Sequence, residues 1–219
     1  QEVVGSNPAS PTNIGRYMEF RTGPKWDTRI VTINPKPKVG ILMSGGIDSW
    51  VLYNILKLDF SKPEIVIFNI KRGDGYDTAK RVKLLTGRSD IIEVDELTTE
   101  HADYDSEGSR VSKGAYHIID NYSIDELYLG TNIIPHTEYF PEFISQGKPK
   151  RLWSYREDSP FKLPLLHLYK YHIIDLANRN NIDLSQTQSC LHKLTEHCGK
   201  CWQCLEKQWA YKQLENIYK

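Results

Sequence analysis

The run Ser44-Gly45-Gly46-Ile47-Asp48-Ser49 follows directly on the apolar stretch Val39-Gly40-Ile41-Leu42-Met43. After it, Trp50, Leu52, Tyr53, Ile55 and Leu56 recur at helical intervals through Leu58. A strand that ends in two glycines and passes at once into a helix is a unit of an α/β layer, because the glycines allow the tight turn that aims the helix back along the sheet. The same unit makes an anion cradle. Its backbone N–H groups and the hydroxyls of Ser44 and Ser49 can converge on phosphate oxygens, and the helix dipole adds to them. The chain contains neither Gly-x-x-x-x-Gly-Lys-Ser/Thr nor Gly-x-Gly-x-x-Gly, so the cradle is neither a Walker loop nor a dinucleotide fingerprint.

Downstream, strand-like and helix-like patches alternate. Ile65-Val66-Ile67-Phe68, Ile91-Ile92-Glu93-Val94 and Glu126-Leu127-Tyr128-Leu129 read as strands, while Tyr76 to Leu85, Ala115 to Tyr122 and Tyr171 to Asn178 have helical spacing. This alternation predicts an α/β fold with a doubly wound parallel sheet. Ligands of such sheets sit at the carboxyl ends of the strands, where the Ser44 to Ser49 run, Asn69 and the Gly130-Thr131-Asn132 turn all fall. One nucleotide site built from Ser44, Gly45, Gly46, Asp48, Ser49, Asn69 and Gly130 is the expectation.

All four cysteines lie near the end of the chain, at 190, 198, 201 and 204, a C-x7-C-x2-C-x2-C array. Cys190, Cys198, Cys201 and Cys204 can surround one ion, with Gly199 easing the turn, and four thiolates leave no open position. Structural zinc suits that set, and an iron–sulfur cluster is the rival. His192 and His197 lie within the array and read as surface residues beside it. Beyond it, Trp202, Leu205, Trp209, Leu214 and Ile217 share one helical face, so the metal is expected to staple a terminal helix to the domain.

At 219 residues the chain has room for one α/β domain and a small appendage. We divide it into an irregular arm rich in Pro, Gly, Ser and Asn over 1–37, a nucleotide-binding domain over 38–185, and a four-cysteine zinc element with its helix over 186–219. Lys+Arg and Asp+Glu each number 28, which does not favour sequence-independent binding to nucleic acid. No apolar run approaches a membrane span, and a cytoplasmic location is expected. A homodimer stays open. Gly5-Ser6-Asn7-Pro8-Ala9 is also what one reading frame of the T-arm of a transfer RNA gene would encode, which makes Met18 a candidate natural start.

The Ser-Gly-Gly-x-Asp-Ser string resembles the signature of the PP-loop ATP pyrophosphatases, which cleave ATP between the α and β phosphates and adenylate a substrate. That resemblance implies ATP with Mg2+, an adenine nucleotide alpha hydrolase-like fold, and a role for Asp48 in ordering the loop or meeting the magnesium. Pro164-Leu165-Leu166-His167-Leu168-Tyr169-Lys170 is similar to a segment of many such enzymes whose lysine faces the phosphates, so Lys170 and Asp48 are the implied catalytic residues. With Ser189-Cys190 and Cys198-Gly199-Lys200-Cys201-Trp202-Gln203-Cys204, the chain resembles the 7-cyano-7-deazaguanine synthase family over approximately 38–211. The resemblance implies ATP-dependent amidation of 7-carboxy-7-deazaguanine with ammonia, then dehydration to the nitrile.

The family's substrate segments are altered in this chain. Gly108-Ser109-Arg110-Val111 stands for a Val-Pro-Gly-Arg-Asn segment, and Glu138 to Phe143 keeps only the Pro-Glu-Phe end of another. Arg110 is the implied partner of the substrate carboxylate, and Tyr139, Phe140, Glu142 and Phe143 of its ring. Two other functions compete. A transfer RNA thiolase of the same superfamily usually needs a catalytic cysteine outside the metal site, and none is left over. A non-enzymatic zinc module would have no use for the phosphate loop.

Overall fold

The computed structural model describes residues 12–14, 17–59, 61–71, 77–95, 107–133, 135, 159–190 and 197–217. A five-stranded parallel sheet forms its centre. In chain order its elements are β4 (Lys38–Leu42), α1 (Ile47–Lys57), β5 (Glu64–Ile70), α2 (Thr78–Thr86), β6 (Ile92–Val94), α3 (Glu107–Asn121), β7 (Glu126–Leu129), β8 (Phe161–Lys162), α4 (Lys170–Arg179) and α5 (Trp202–Ile217). The strand order is β6-β5-β4-β7-β8, with β4 pairing in parallel with both β5 and β7. The chain leaves β4 toward one side of the sheet and later enters β7 on the other. The crevice at the carboxyl end of β4 is therefore the topological switch point, where α/β sheets bind ligands. The doubly wound parallel sheet expected from the alternating pattern is present.

Both faces of the sheet are covered. On one, Ile41, Met43 and Ile67 pack with Val51, Leu52 and Ile55 of α1, Val82 of α2, Ile173 and Ile174 of α4, and Ala210 and Leu214 of α5. On the other, Phe68, Leu127 and Leu129 meet Ala115 and Ile118 of α3. Burial on both faces is why the strands read as nearly continuous apolar runs instead of alternating ones. Local signals set the helix ends. Asp77 accepts a hydrogen bond from the Lys80 N–H at the start of α2, and Gly87, with φ +65°, closes its end in the left-handed conformation.

The amino-terminal segment differs from expectation. Within the stretch read as an irregular arm, β1 (Thr12–Ile14), β2 (Tyr17–Thr22) and β3 (Arg29–Ile33) form an antiparallel sheet of their own. Met18, Phe20 and Thr22 alternate inward along β2, as do Val31 and Ile33 along β3, and the four apolar side chains enter the same core as α1 and α4. Burial of that short period-two stripe outweighs the turn-forming composition around it.

This small sheet is fastened to α4. Asp175 on α4 accepts hydrogen bonds from the Thr22 hydroxyl at 3.1 Å, the Gly23 N–H at 2.7 Å and Arg179 Nε at 2.6 Å. Tyr171 donates its hydroxyl to Asp27, which also receives Arg29 Nε at 2.9 Å, and Arg29 lies over the Tyr169 ring, 4.6 Å from its centroid.

Candidate nucleotide site and metal centre

The glycine loop from Ser44 to Ser49 occupies the switch point. Gly45, at φ +78°, makes the turn that a side chain would strain, and Gly46 is the extended residue before α1. The Ser49 hydroxyl accepts from the Ser44 N–H and donates to the Gly46 carbonyl, both at 3.3 Å, tying the two ends of the loop together. A second layer braces it. Gln188 N–H donates to the Gly45 carbonyl at 3.0 Å, Ile47 N–H to the Ser189 hydroxyl at 3.4 Å, and Arg81 Nη1 to the Gln188 carbonyl at 2.9 Å. The loop is thus shaped by the residues that immediately precede the first cysteine of the array.

Sequence reasoning placed Asn69 and Gly130 at the site, and both adjoin the loop. Asn69 is buried, donates to the Met43 carbonyl at 2.7 Å and accepts from the Thr78 hydroxyl at 3.0 Å, so its amide holds the end of β4 in place. At Gly130 a Cβ would sit 2.8 Å from Asp48 C and Ser49 N. The end of β7 approaches the start of α1 that closely only as glycine.

Lys170 begins α4, and its ammonium donates to Asp48 Oδ2. It also lies 3.4 Å from Oε2 of Glu206, a residue that sequence reasoning did not single out. Asn132 Nδ2 donates to the other Glu206 oxygen at 2.8 Å. Burial alone would lower the Lys170 pKa, but the Asp48 and Glu206 carboxylates outweigh it and hold it above the usual lysine value. Burial pushes the Glu206 carboxyl above the usual range, against the pull of Lys170. Asp48 Oδ1 is buried without a hydrogen-bond partner. An orphaned carboxylate oxygen at the start of the helix that follows the glycine loop suits a hard divalent cation, so the residues present fit Mg2+.

The four cysteine sulfurs lie within 4.8 Å of one another. Gly199, at φ +70°, makes the turn between Cys198 and Cys201. The N–H groups of Lys200 and Cys201 point at Cys198 Sγ at 3.5 and 3.3 Å and draw its pKa down to about 6, while burial pushes Cys204 up to about 12. Four convergent sulfurs, one already favoured as thiolate, fit a tetrahedral metal with no open position. His197 Nδ1 stands 3.9 Å from Cys204 Sγ and its Nε2 is 3.0 Å from Lys207 Nζ, beside the array. His192 lies outside the described residues. So do the substrate candidates Tyr139, Phe140, Glu142 and Phe143, and the Arg110 side chain, although its backbone is in α3.

Comparison with known proteins bears on this pairing of loop and cysteines. Residues 114–215, which hold Lys170, Glu206 and all four cysteines, match the family described as queuosine biosynthesis protein QueC. Over 217 residues the chain is 27% identical to a 7-cyano-7-deazaguanine synthase of Prochlorococcus marinus strain MIT 9312, a match covering 80% of this chain and 94% of that one. Other relatives it matches carry the same name. Identity to another, from Prochlorococcus marinus subsp. pastoris, reaches 50% over 60 residues, 26% of this chain and 27% of the relative. The chain thus spans about a quarter of one synthase it matches and nearly all of the other. Among solved structures, the U34-tRNA thiolase NcsA from Methanococcus maripaludis, with its [4Fe-4S] cluster, is similar at a TM-score of 0.42 and 17% identity, covering 84% of this chain and 73% of that one.

Proposed function

We propose that this chain is an ATP-dependent synthase that converts 7-carboxy-7-deazaguanine to 7-cyano-7-deazaguanine with ammonia. The observation that carries the reading is the glycine loop at the switch point joined through Asp48 to the buried Lys170, in a chain whose named relatives are synthases of that product. In the first half-reaction a substrate carboxylate oxygen attacks the α-phosphorus of ATP, the bond to the bridging oxygen breaks, and pyrophosphate leaves with the electron pair. Ammonia then displaces AMP to give the amide. A second adenylation, on the amide oxygen, lets AMP depart with that oxygen as the nitrogen loses two protons and becomes the nitrile.

The chain's own groups serve the steps in which charge develops. The loop and the first turn of α1 hold the phosphates, and Lys170 places a fixed cation beside the leaving pyrophosphate, where a buried ammonium is worth more than it would be in water. Asp48 Oδ1 would hold Mg2+, which neutralises phosphate charge when bound. Cys190, Cys198, Cys201 and Cys204 would hold zinc as a structural ion. We assign the protein to the cytoplasm; among the described residues no helix is long and apolar enough to cross a membrane.

The test is incubation of the chain with ATP, Mg2+, ammonium and the carboxylate, with mass spectrometry for products. Amide or nitrile is the expected result. ATP binding without either product would leave the nucleotide site standing and remove the deazaguanine substrate.

A further inference from the structure

Glu206 occupies an ordinary glutamate position in a polar helix sequence, yet its surroundings are not ordinary. It lies two residues after Cys204 near the start of α5, is 1% exposed, and spends both oxygens, one on Asn132 at 2.8 Å and one on Lys170 at 3.4 Å. Lys170 therefore stands between two carboxylates that differ in kind. Asp48 belongs to the phosphate loop and keeps Oδ1 without a partner. Its bond to Lys170 is the one that a bound cation and phosphates can redraw. Glu206 has no spare oxygen and is fixed by Asn132 on the turn after β7 and by its own helix. A lysine held by the loop alone would be free to swing whenever Asp48 turned to another ligand.

We propose that Glu206 is a positioning residue for the adenylation step: it keeps the Lys170 ammonium aimed at the phosphate loop while Asp48 is engaged elsewhere. The role rests on the nucleotide-activating reading given above and extends it from the loop to the helix that begins in the cysteine array. A stabiliser of a leaving group acts most in the transition state, so its misplacement is felt in turnover more than in ground-state binding.

Glu206→Gln keeps the shape and an acceptor for Asn132 but removes the anionic partner of Lys170. It should lower kcat for ATP-dependent pyrophosphate release about tenfold or more, because displacing a catalytic group by a fraction of an ångström has effects of that order. The KM for ATP, the melting temperature and the metal content should stay near wild type. Glu206→Asp should recover part of the rate. In a Lys170→Met background, Glu206→Gln should cost less than about twofold more, since a residue that acts through another loses its effect once that other is gone.

Full additivity of the two substitutions would overturn the proposal, as would wild-type kcat in Glu206→Gln. Loss of metal or of cooperative melting in that variant would assign Glu206 to the cysteine element and overturn it equally. Absence of any pyrophosphate release by the wild-type chain would remove the proposed reaction along with it, whereas an active wild type with an indifferent Glu206→Gln removes this role alone.

Discussion

At Gly130 two backbones come too close to admit a methyl group. A Cβ there would meet Asp48 C and Ser49 N at 2.8 Å, and neither main-chain atom can yield without moving the first turn of α1. Gly130→Ala should therefore cost about 1–3 kcal/mol of stability in thermal or denaturant melts, the range for overpacking, and should also weaken ATP binding. Asp48→Asn tests the opposite combination. It keeps the volume and removes the charge, so pyrophosphate release should fall about a hundredfold or more, a loss typical of a transition-state electrostatic partner, while the melting temperature changes little. The loop that Ser44, Gly45 and Ser49 form could be read from the sequence because its parts are local: the turn, the hydroxyls and the helix start are consecutive. Glu206 could not. Its meaning comes from Lys170 and Asn132, which reach it only through the packing of α4, α5 and the end of β7.

The first turn of α4 joins Lys170 to the amino-terminal sheet, and one histidine there should tie stability to pH. His172 is fully buried, its Nδ1 accepting from the Tyr169 N–H at 3.2 Å and its Nε2 lying 3.0 Å from the Asp27 carbonyl oxygen. Burial drives its pKa down to about 4, against the pull of Asp27 and Asp175 and with some help from Arg29. An unfolded histidine titrates near 6.5, so between about 6.5 and 4 the unfolded chain binds a proton that the folded chain refuses. The stability His172 provides is therefore complete above about pH 6.5 and is lost as pH falls toward 4. Melting temperatures measured across that interval should fall for the wild type and fall less steeply for His172→Gln. The sheet that meets this histidine was hard to foresee: the buried apolar stripe of β2 is only Met18 and Phe20, and it is surrounded by Pro, Gly, Asn and Thr, whose local preferences favour turns. The long apolar runs of β4 and β5, by contrast, announced the central parallel sheet.

Taken whole, the molecule is closed by its cysteines. A metal ion held there would contribute folding free energy, because an unfolded chain does not hold four thiolates in one place. Cys201→Ser or a strong chelator should lower the melting temperature and the solubility together with turnover, and elemental analysis of anaerobically purified protein should find zinc at about one per chain, as four thiolates bind a single tetrahedral ion. Iron with sulfide in its place would change the metal assignment to a cluster. The convergence of the four cysteines was legible from their spacing alone. That the residues just before them brace the glycine loop was not: Ser189 was read only as the neighbour of Cys190, and Gln188 and Ser189 gain this role by lying against Gly45 and Ile47.

The brace from Ser189 to Ile47 joins positions 142 residues apart. Lys170, Glu206 and the cysteines likewise come from the last part of the chain, whereas the loop they shape is laid down early. During synthesis the phosphate-binding sequence leaves the ribosome long before its braces exist, and contacts of such separation are slow to close. The proposed nucleotide capture should thus be acquired late by a growing chain, only once α5 has been made.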